Sequence, residues 1–143
     1  MGAVNNILRT KADVIFTISP DTMVYTALEI MVERNVSALL VLEEGKLAGI
    51  FTERDYARKV ILKGKASKET LIREIMTSDL ITVSSDTSLE TCMRLMTEKL
   101  IRHLPVVDNG VLVGIISIGD VVKYIIDDQK FIIENMKHYI TGI

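Results

Sequence analysis

The stretches GIFTERD at residues 49–55 and GIISIGD at residues 114–120 share one pattern. Each has a glycine, two apolar residues, a hydroxyl residue, two variable residues and an aspartate. They lie 65 positions apart, and at this shift residues 15–60 align with residues 80–125 without a gap. An ungapped internal match of this length indicates two copies of one structural unit.

Both copies predict the same order of elements, β-α-β-β-α. A short apolar strand precedes an amphipathic helix, two apolar strands joined by a glycine-containing turn follow, and a last helix begins near the motif aspartate. Because so small a unit leaves one sheet face open, we expect an α/β (α+β) fold in which the copies pack sheet to sheet with pseudo-twofold symmetry. The expected strands are residues 15–18, 38–42 and 47–51 in the first copy, and 80–83, 103–107 and 112–116 in the second.

The first helix of each copy carries an apolar stripe at i, i+3, i+4 and i+7, which predicts one buried face. In the second copy Thr87-Ser88-Leu89-Glu90 has the spacing of a capping box. Methionines and Cys92 in the stripes are therefore interpreted as core residues. The stripes are Val24, Ala27, Leu28 and Met31, and Leu89, Cys92, Met93 and Met96.

These patterns divide the chain into four parts. Residues 1–62 form the first repeat with the N-terminal segment, residues 63–76 a partly helical linker, residues 77–126 the second repeat, and residues 127–143 a C-terminal helical tail. Asp127 and Asp128 are a candidate break in the final helix. The apolar face of the tail predicts self-association as a homodimer, with folding back over its own repeat as the alternative.

Composition excludes several classes of protein. The 17 basic and 19 acidic residues give a net charge of -2, which disfavours nucleic acid as a partner. One cysteine and two histidines cannot form a structural zinc site or an internal disulfide. Charges interrupt every apolar stretch before it could span a membrane, and the first residues show no secretion or lipidation signal. We therefore expect a soluble cytoplasmic protein.

The repeated motif suits a nucleotide. A strand end followed by a helix start gathers free backbone N–H groups that attract phosphate, and the aspartate can accept hydrogen bonds from two ribose hydroxyls. Thr52 and Ser117 supply the hydroxyl, and Asp55 and Asp120 the carboxylate. The alternative is that both aspartates only cap their helices and the glycines only permit close packing.

On these residues, the sequence resembles a tandem pair of cystathionine β-synthase (CBS) domains, the arrangement called a Bateman module. The resemblance covers most of the chain. It implies binding of adenosyl ligands, commonly AMP, ADP, ATP, S-adenosylmethionine or NAD(H), and regulation of an associated protein rather than catalysis.

The resemblance also implies roles for particular residues. The aspartate holds the ribose, the hydroxyl residue contacts ribose or phosphate, and the first strand with the opening of the second lies beside the adenine. In the first cleft the expected ligand-binding residues are Phe16, Thr17, Ile18, Ser37, Ala38, Thr52, Arg54, Asp55 and Arg58. In the second cleft they are Ile81, Thr82, Val83, Arg102, His103, Pro105, Ser117 and Asp120.

The two clefts are expected to differ because their positive charges differ. Arg54 corresponds to Gly119, whereas Arg102 and His103 correspond to the uncharged pair at residues 37–38. The hypothesis is that Arg54, with Arg58, favours a longer polyphosphate or dinucleotide in the first cleft. Arg102 and His103 would read a monophosphate in the second. The alternatives are a solvated helix face for the first pair and an interior histidine for His103.

The sequence thus predicts a regulatory module, not an enzyme, that binds AMP, ATP or NAD(H) in clefts between the repeats. It would sense energy or redox state and signal to a protein whose identity the sequence does not give. No catalytic residue, catalytic cofactor or metal site is expected. The alternative is a ligand-free interaction or dimerisation module.

Overall fold

In a computed structural model of the chain, residues 2–11 and 15–141 are described, and they form two compact units. Among these residues, the first-repeat unit comprises residues 15–81 with 110–112, and the second-repeat unit comprises residues 2–11, 82–109 and 113–141. Helices and small sheets are mixed, as the α/β prediction requires. The helices are α1 Val4–Leu8, α2 Val24–Arg34, α3 Glu53–Asp55, α4 Ile72–Ile75, α5 Leu89–Lys99 and α6 Ile118–Thr141; the strands are β1 Thr17–Ile18, β2 Ala38–Glu43, β3 Lys46–Thr52, β4 His103–Asp108 and β5 Val111–Ser117.

The first-repeat unit contains a three-stranded sheet in the order β1-β2-β3. β1 runs parallel to β2, and β2 runs antiparallel to β3. The turn between β2 and β3 holds Glu44 and Gly45 at positive φ (52° and 76°), the conformation for which a glycine was expected. After α3, the chain continues through a π-helical turn, Tyr56–Val60, and a 3-10 turn, Ile61–Lys63.

The core of the first-repeat unit lies between this sheet and the apolar face of α2. The expected stripe is buried at Val24, Ala27 and Met31, with Leu28 partly buried against the same cluster. Side chains from β2, β3 and α4 complete it: Leu39, Val41, Phe51, Ile72 and Ile75.

The second-repeat unit follows the same plan with a shorter sheet. β4 and β5 form a two-stranded sheet, and Val83 joins it by a parallel bridge to Val106. The predicted strand at residues 80–83 is therefore reduced to one bridge. Leu89, Cys92 and Met96 are buried, which confirms the interpretation of this stripe as core.

The predicted capping box at residues 87–90 is wrong by one position. Ser88 is the N-cap of α5, and its hydroxyl accepts from the N–H of Thr91 (3.2 Å). Thr87 turns instead to the preceding loop, where its hydroxyl accepts from the N–H of Ser84 (3.0 Å). Both hydroxyl residues can satisfy a free N–H, so the spacing alone did not decide between them.

Residues 2–8 and 70–76 occupy matching places in the two units, at a shift of 68 positions. Each segment pairs with the start of the first helix of its unit and buries two apolar side chains spaced i, i+3. Two backbone hydrogen bonds of the first unit have counterparts in the second. The N–H of Val24 donates to the Thr70 oxygen (2.9 Å), as the N–H of Leu89 donates to the Gly2 oxygen (3.0 Å). The N–H of Ile72 donates to the Thr22 oxygen (2.9 Å), as the N–H of Val4 donates to the Thr87 oxygen (2.9 Å).

These contacts differ from the expected grouping of the N-terminal segment with the first repeat. Residues 2–11 pack on the second repeat, and residues 70–76 complete the first repeat instead of serving only as a linker. The physical reason is that the first helix of each repeat begins with free N–H groups and an uncovered apolar edge. Either segment can bond to these N–H groups and cover this apolar edge, so proximity in sequence does not determine which repeat a segment packs on.

The C-terminal tail continues the last helix of the second repeat. α6 runs without a break through Asp127 and Asp128, so the expected interruption there is wrong, and the helical tail from residue 127 is a continuation of this helix. Residues 129–140 are exposed along this helix, which contradicts the alternative that the tail folds back. Within the described ranges, no helix has both the length and the apolar character that crossing a membrane requires. The packing of the two repeats against each other stays a prediction.

Candidate functional site

The end of β3 places the first motif against the start of β2. Thr52 lies opposite Ala38 in the antiparallel pair, and the N–H of Glu53 donates to the carbonyl oxygen of Ser37 (3.2 Å). β1 lies on the other side of β2, with Thr17 opposite Leu40. The sheet therefore brings together residues from all three expected segments of the first site.

Asp55 is held tightly inside this motif. Its Oδ2 accepts from the N–H and the hydroxyl of Thr52 (3.0 and 3.1 Å), while the Thr52 hydroxyl accepts from the N–H of Asp55 (3.1 Å). Its Oδ1 contacts the Lys59 ammonium (3.1 Å) and accepts from the Thr77 hydroxyl (3.0 Å). The side chain is 9% exposed. Both carboxylate oxygens are thus already occupied by groups of this chain.

The other expected residues of the first site vary in exposure. Ile18 and Ala38 are buried and belong to the packed sheet, so only their backbone or edges could face a ligand. Phe16 is partly buried and lies 5.2 Å from the guanidinium of Arg34. The exposed residues are Thr17, Ser37, Arg54 and Arg58.

The second motif has the same local geometry with a more open carboxylate. The N–H of Ser117 donates to Oδ2 of Asp120 (2.9 Å), and the Ser117 hydroxyl accepts from the N–H of Asp120 (3.1 Å). Lys11, from the N-terminal segment, donates to the same Oδ2 (2.7 Å). Within the part of the chain that the structure describes, Oδ1 has no hydrogen-bond partner. The Asp120 side chain is 27% exposed, three times the value at Asp55.

The other expected residues of the second site differ in exposure and in their hydrogen bonds. The N–H of Ile118 donates to the carbonyl oxygen of Arg102 (2.9 Å), which joins the start of α6 to the start of β4. Val83 is buried and donates to the carbonyl oxygen of Pro105 (3.0 Å), itself buried in β4. Ile81 is partly buried, and Thr82 and Arg102 are exposed.

The charged groups near Asp120 lie close enough to shift one another's pKa. Burial lowers the pKa of His103, the charges of Lys11 and Arg102 lower it further, and Asp120 opposes them. Burial would raise the pKa of Asp120, but hydrogen bonds from Lys11 and Ser117 together with the Lys11 charge bring it below its ordinary value. His103 is therefore favoured as a neutral base and Asp120 as a carboxylate.

Sequence reasoning missed three residues of these sites. Lys59 follows Asp55 by one helical turn and could have been found from the i, i+4 pairing rule. Thr77 and Lys11 come from the segments that complete each repeat, and nothing in the spacing of the motifs pointed to them. Among residues 2–11 and 15–141, no cluster of three or more His, Cys, Asp or Glu side chains could hold a metal ion.

A duplicated β-α-β-β-α unit with a hydroxyl residue and a capping aspartate at each strand-to-helix junction defines a tandem CBS pair. The CBS domain model matches residues 6–62 and 72–127, so the chain belongs to the CBS domain family.

A curated relative is the mitochondrial CBS domain-containing protein CBSX3 of Arabidopsis thaliana, 42% identical over 127 residues. The match covers 85% of this chain and 62% of that protein, so the chain spans less than two thirds of the relative's length. Among solved structures, a protein with CBS domains from Burkholderia ambifaria superposes with a TM-score of 0.86 at 48% identity, covering 89% of this chain and 96% of that one.

Another solved neighbour carries ligands. The CBS domain pair of protein MJ0100, in complex with 5′-methylthioadenosine and S-adenosyl-L-methionine, has a TM-score of 0.78 at 27% identity and covers 90% of this chain and 98% of that one. A hexameric CBS-CP12 protein from bloom-forming cyanobacteria has a TM-score of 0.75 at 29% identity, covering 84% and 70%.

Proposed function

We propose that this protein is a regulatory module that binds an adenosyl ligand through its second repeat. The observation that carries the proposal is the Asp120 carboxylate, which is partly exposed, ionised and has one oxygen without a partner among the described residues. A carboxylate in this state can accept hydrogen bonds from the hydroxyls of a ribose. The adenosyl complexes of the MJ0100 pair support the same ligand class.

The charged neighbours of Asp120 favour a ligand that carries phosphate. Arg102 is exposed at the start of β4, next to the first residue of α6, whose N-terminal end attracts negative charge. His103 is partly buried beside it and is favoured as neutral. We propose AMP, ATP or NAD(H) as the ligands, with Arg102 rather than His103 supplying the positive charge.

The motif of the first repeat has a second interpretation. Because both oxygens of Asp55 are held by Thr52, Lys59 and Thr77, ligand binding there must first break contacts within the chain. This specific observation favours a packing role, the ligand-free alternative, for the first motif. Arg54 and Arg58 remain exposed, and we keep the hypothesis that they select a longer polyphosphate if this site opens.

Regulation needs no bond-making. A ligand shifts the balance between two arrangements of a protein by its differential affinity for them, and a partner protein can read the change. We therefore propose a non-enzymatic, cytoplasmic sensor of energy or redox state. The regulated partner is a protein, and the proposed regulation requires neither a nucleic acid nor a membrane.

We also propose that the protein assembles as a homodimer through α6. The far end of this helix exposes an apolar surface that includes Tyr139 at 90% and Ile140 at 77%, and Ile132, Asn135, Met136 and the same two residues line a groove along it. Exposed apolar surface of this kind is typical of interfaces. A second copy of α6 offers a matching apolar face.

Calorimetric titration tests the proposal. AMP, ATP, NAD, NADH and S-adenosylmethionine are titrated into the protein freed of co-purified nucleotide, and into the Asp120→Ala and Asp55→Ala variants. We expect at least one ligand to bind, Asp120→Ala to abolish or strongly weaken binding, and Asp55→Ala to change stability more than affinity. Circular dichroism confirms that each variant is folded.

Three results would contradict this proposal. Absence of binding by folded wild-type protein would assign the clefts to packing and leave the interaction module as the function. Binding that survives Asp120→Ala but disappears in Asp55→Ala would move the ligand to the first repeat. Sustained release of phosphate from ATP would contradict the non-enzymatic assignment.

A further inference from the structure

Lys11 links the N-terminal segment to the motif of the second repeat. Its ammonium group donates to Oδ2 of Asp120 and to the carbonyl oxygen of Ile115 in β5, both at 2.7 Å. The two charged side chains are 34% and 27% exposed, so the ion pair lies at the surface of the unit. A cation from outside the repeat thus holds the carboxylate that the proposed ligand would use.

The first repeat holds its aspartate differently. Lys59 contacts Asp55 from the same helical stretch, four residues further on, so its backbone stays beside the carboxylate as long as the helix is formed. Lys11 belongs to a segment that is separate in sequence from the repeat it packs on, and its sequence separation from Asp120 is 109. Its contact can therefore open while the fold of the repeat stays in place.

The ribose of an adenosyl ligand presents two neighbouring hydroxyl groups, and a carboxylate binds such a pair best with both oxygens. Among residues 2–11 and 15–141, Oδ1 of Asp120 has no hydrogen-bond partner, whereas Oδ2 already accepts from Ser117 and Lys11. The Ser117 N–H belongs to the cap and stays with the motif. The Lys11 ammonium is the group that a second ribose hydroxyl would replace.

We propose that Lys11 is a tethered competitor for the ribose at Asp120, so that ligand binding in the second repeat releases the end of the N-terminal segment. The inference rests on the proposed function, since it needs an adenosyl ligand at Asp120. Binding of the ligand to this repeat would then change the position of the N-terminal segment, and a partner protein could recognise that change. The released part is the end beyond α1, because Val4 and Ile7 remain buried and Leu8 contacts Gly114.

The first experiment compares adenosine affinity in wild-type protein, Lys11→Met and the control Lys99→Met. Adenosine is neutral, so loss of a positive charge does not weaken attraction to phosphate. Lys99 is an exposed lysine of the same unit, at the end of α5. Because a half-exposed ion pair is worth little, we expect Lys11→Met to lower the Kd by about threefold to tenfold. Lys99→Met should leave it unchanged.

The tighter binding of adenosine by Lys11→Met must depend on Asp120. In the Lys11→Met, Asp120→Ala double variant we expect the tighter binding to disappear. Wild-type protein that binds adenosine while Lys11→Met binds equally or more weakly overturns the competitor role and leaves the proposed function intact. If folded wild-type and Lys11→Met proteins both fail to bind adenosine and every ligand of the calorimetric titration, the proposed function and this inference fall together.

Hydrogen exchange on the wild-type protein gives a second test that needs no variant. The amides of Arg9, Thr10 and Lys11 donate to carbonyl oxygens within the N-terminal segment (3.0–3.1 Å). We expect saturating adenosine to accelerate their exchange while the amides of Val4 and Asn5 stay protected. Unchanged or slower exchange at residues 9–11 with ligand bound overturns the release.

Discussion

The hydroxyl of Thr77 donates a hydrogen bond to Oδ1 of Asp55 across 3.0 Å, although 22 positions separate the two residues. Thr77 follows α4, in the segment that completes the first repeat, and its backbone pairs with Ile50 in β3. One short segment therefore fixes both the edge of the sheet and the motif aspartate. Because Asp55 is buried, we expect these contacts to contribute to the stability of the first repeat more than to ligand binding.

Removing the partners of Asp55 should destabilise the first repeat. Thr77→Val deletes one hydrogen bond to a buried carboxylate, and we expect a loss of about 1 to 2 kcal/mol in the free energy of unfolding. Lys59→Met removes the half-exposed cation and should cost about 1 kcal/mol. Urea unfolding measures both, and Lys63→Met, at an exposed position, serves as the control. Equal midpoints for all three variants would contradict the role of these contacts.

Two of the three glycines in the repeated motifs, Gly49 and Gly119, should respond differently to alanine. A Cβ at Gly49 would lie 2.9 Å from the backbone oxygen of Thr77 and 2.8 Å from Met76, so backbone must shift. At Gly119 the nearest atom is Ser117 Oγ at 3.6 Å, an ordinary contact. We expect Gly49→Ala to destabilise by about 1 to 3 kcal/mol and Gly119→Ala to stabilise α6 by about 0.5 to 1 kcal/mol. Thermal unfolding distinguishes these signs.

Leu100 ends α5 in a left-handed conformation (φ 54°) while its side chain is 72% exposed. A branched side chain is strained there, and glycine is not. Leu100→Gly should therefore stabilise the protein by about 0.5 to 1 kcal/mol, measured by urea unfolding. Asn35→Gly, at the equivalent end of α2 (φ 53°), is the matched control and should change stability less, because asparagine tolerates this conformation. A destabilised Leu100→Gly variant would count against strain at this position.

The repeat and its local elements could be predicted because each depends on neighbouring residues. The stripe ending at Met31, the hairpin turn at Gly45 and the capping role of Asp55 all follow from spacings within a few positions. The placement of residues 2–11 on the second repeat could not be predicted, since either completing segment satisfies the same free N–H groups. The contact of Lys11 with Asp120 could not be predicted either, because tertiary packing determines the partner of Lys11.

The pKa of His103 predicts how the stability of the second repeat depends on pH. Burial first, then the charges of Lys11 and Arg102, hold this pKa below its ordinary value of 6.5 in the folded protein, against the opposing charge of Asp120. Between the two values the unfolded chain binds more protons, so stability is present above pH 6.5 and is lost as the pH falls through the folded pKa.

The expected loss is about 1.4 kcal/mol for each unit by which the pKa is lowered. Urea unfolding between pH 5 and 7.5 measures it, and His103→Gln should flatten the profile. The same slope in the His103 variant as in wild type would assign the effect to other groups.

The exposed face of α6 predicts the assembly state. Ile132 and Met136 lie one helical turn apart, are about half exposed and line the same groove. Replacing both with glutamate puts charges on this face, and burying them in a dimer interface would cost several kcal/mol. We expect wild-type protein to sediment as a dimer and the Ile132→Glu, Met136→Glu variant as a monomer of unchanged helix content. Lys130→Glu with Lys137→Glu, which also places glutamates at exposed positions of this helix but replaces no apolar side chain, should remain dimeric. A wild-type monomer, or a variant that stays dimeric, would place the interface elsewhere.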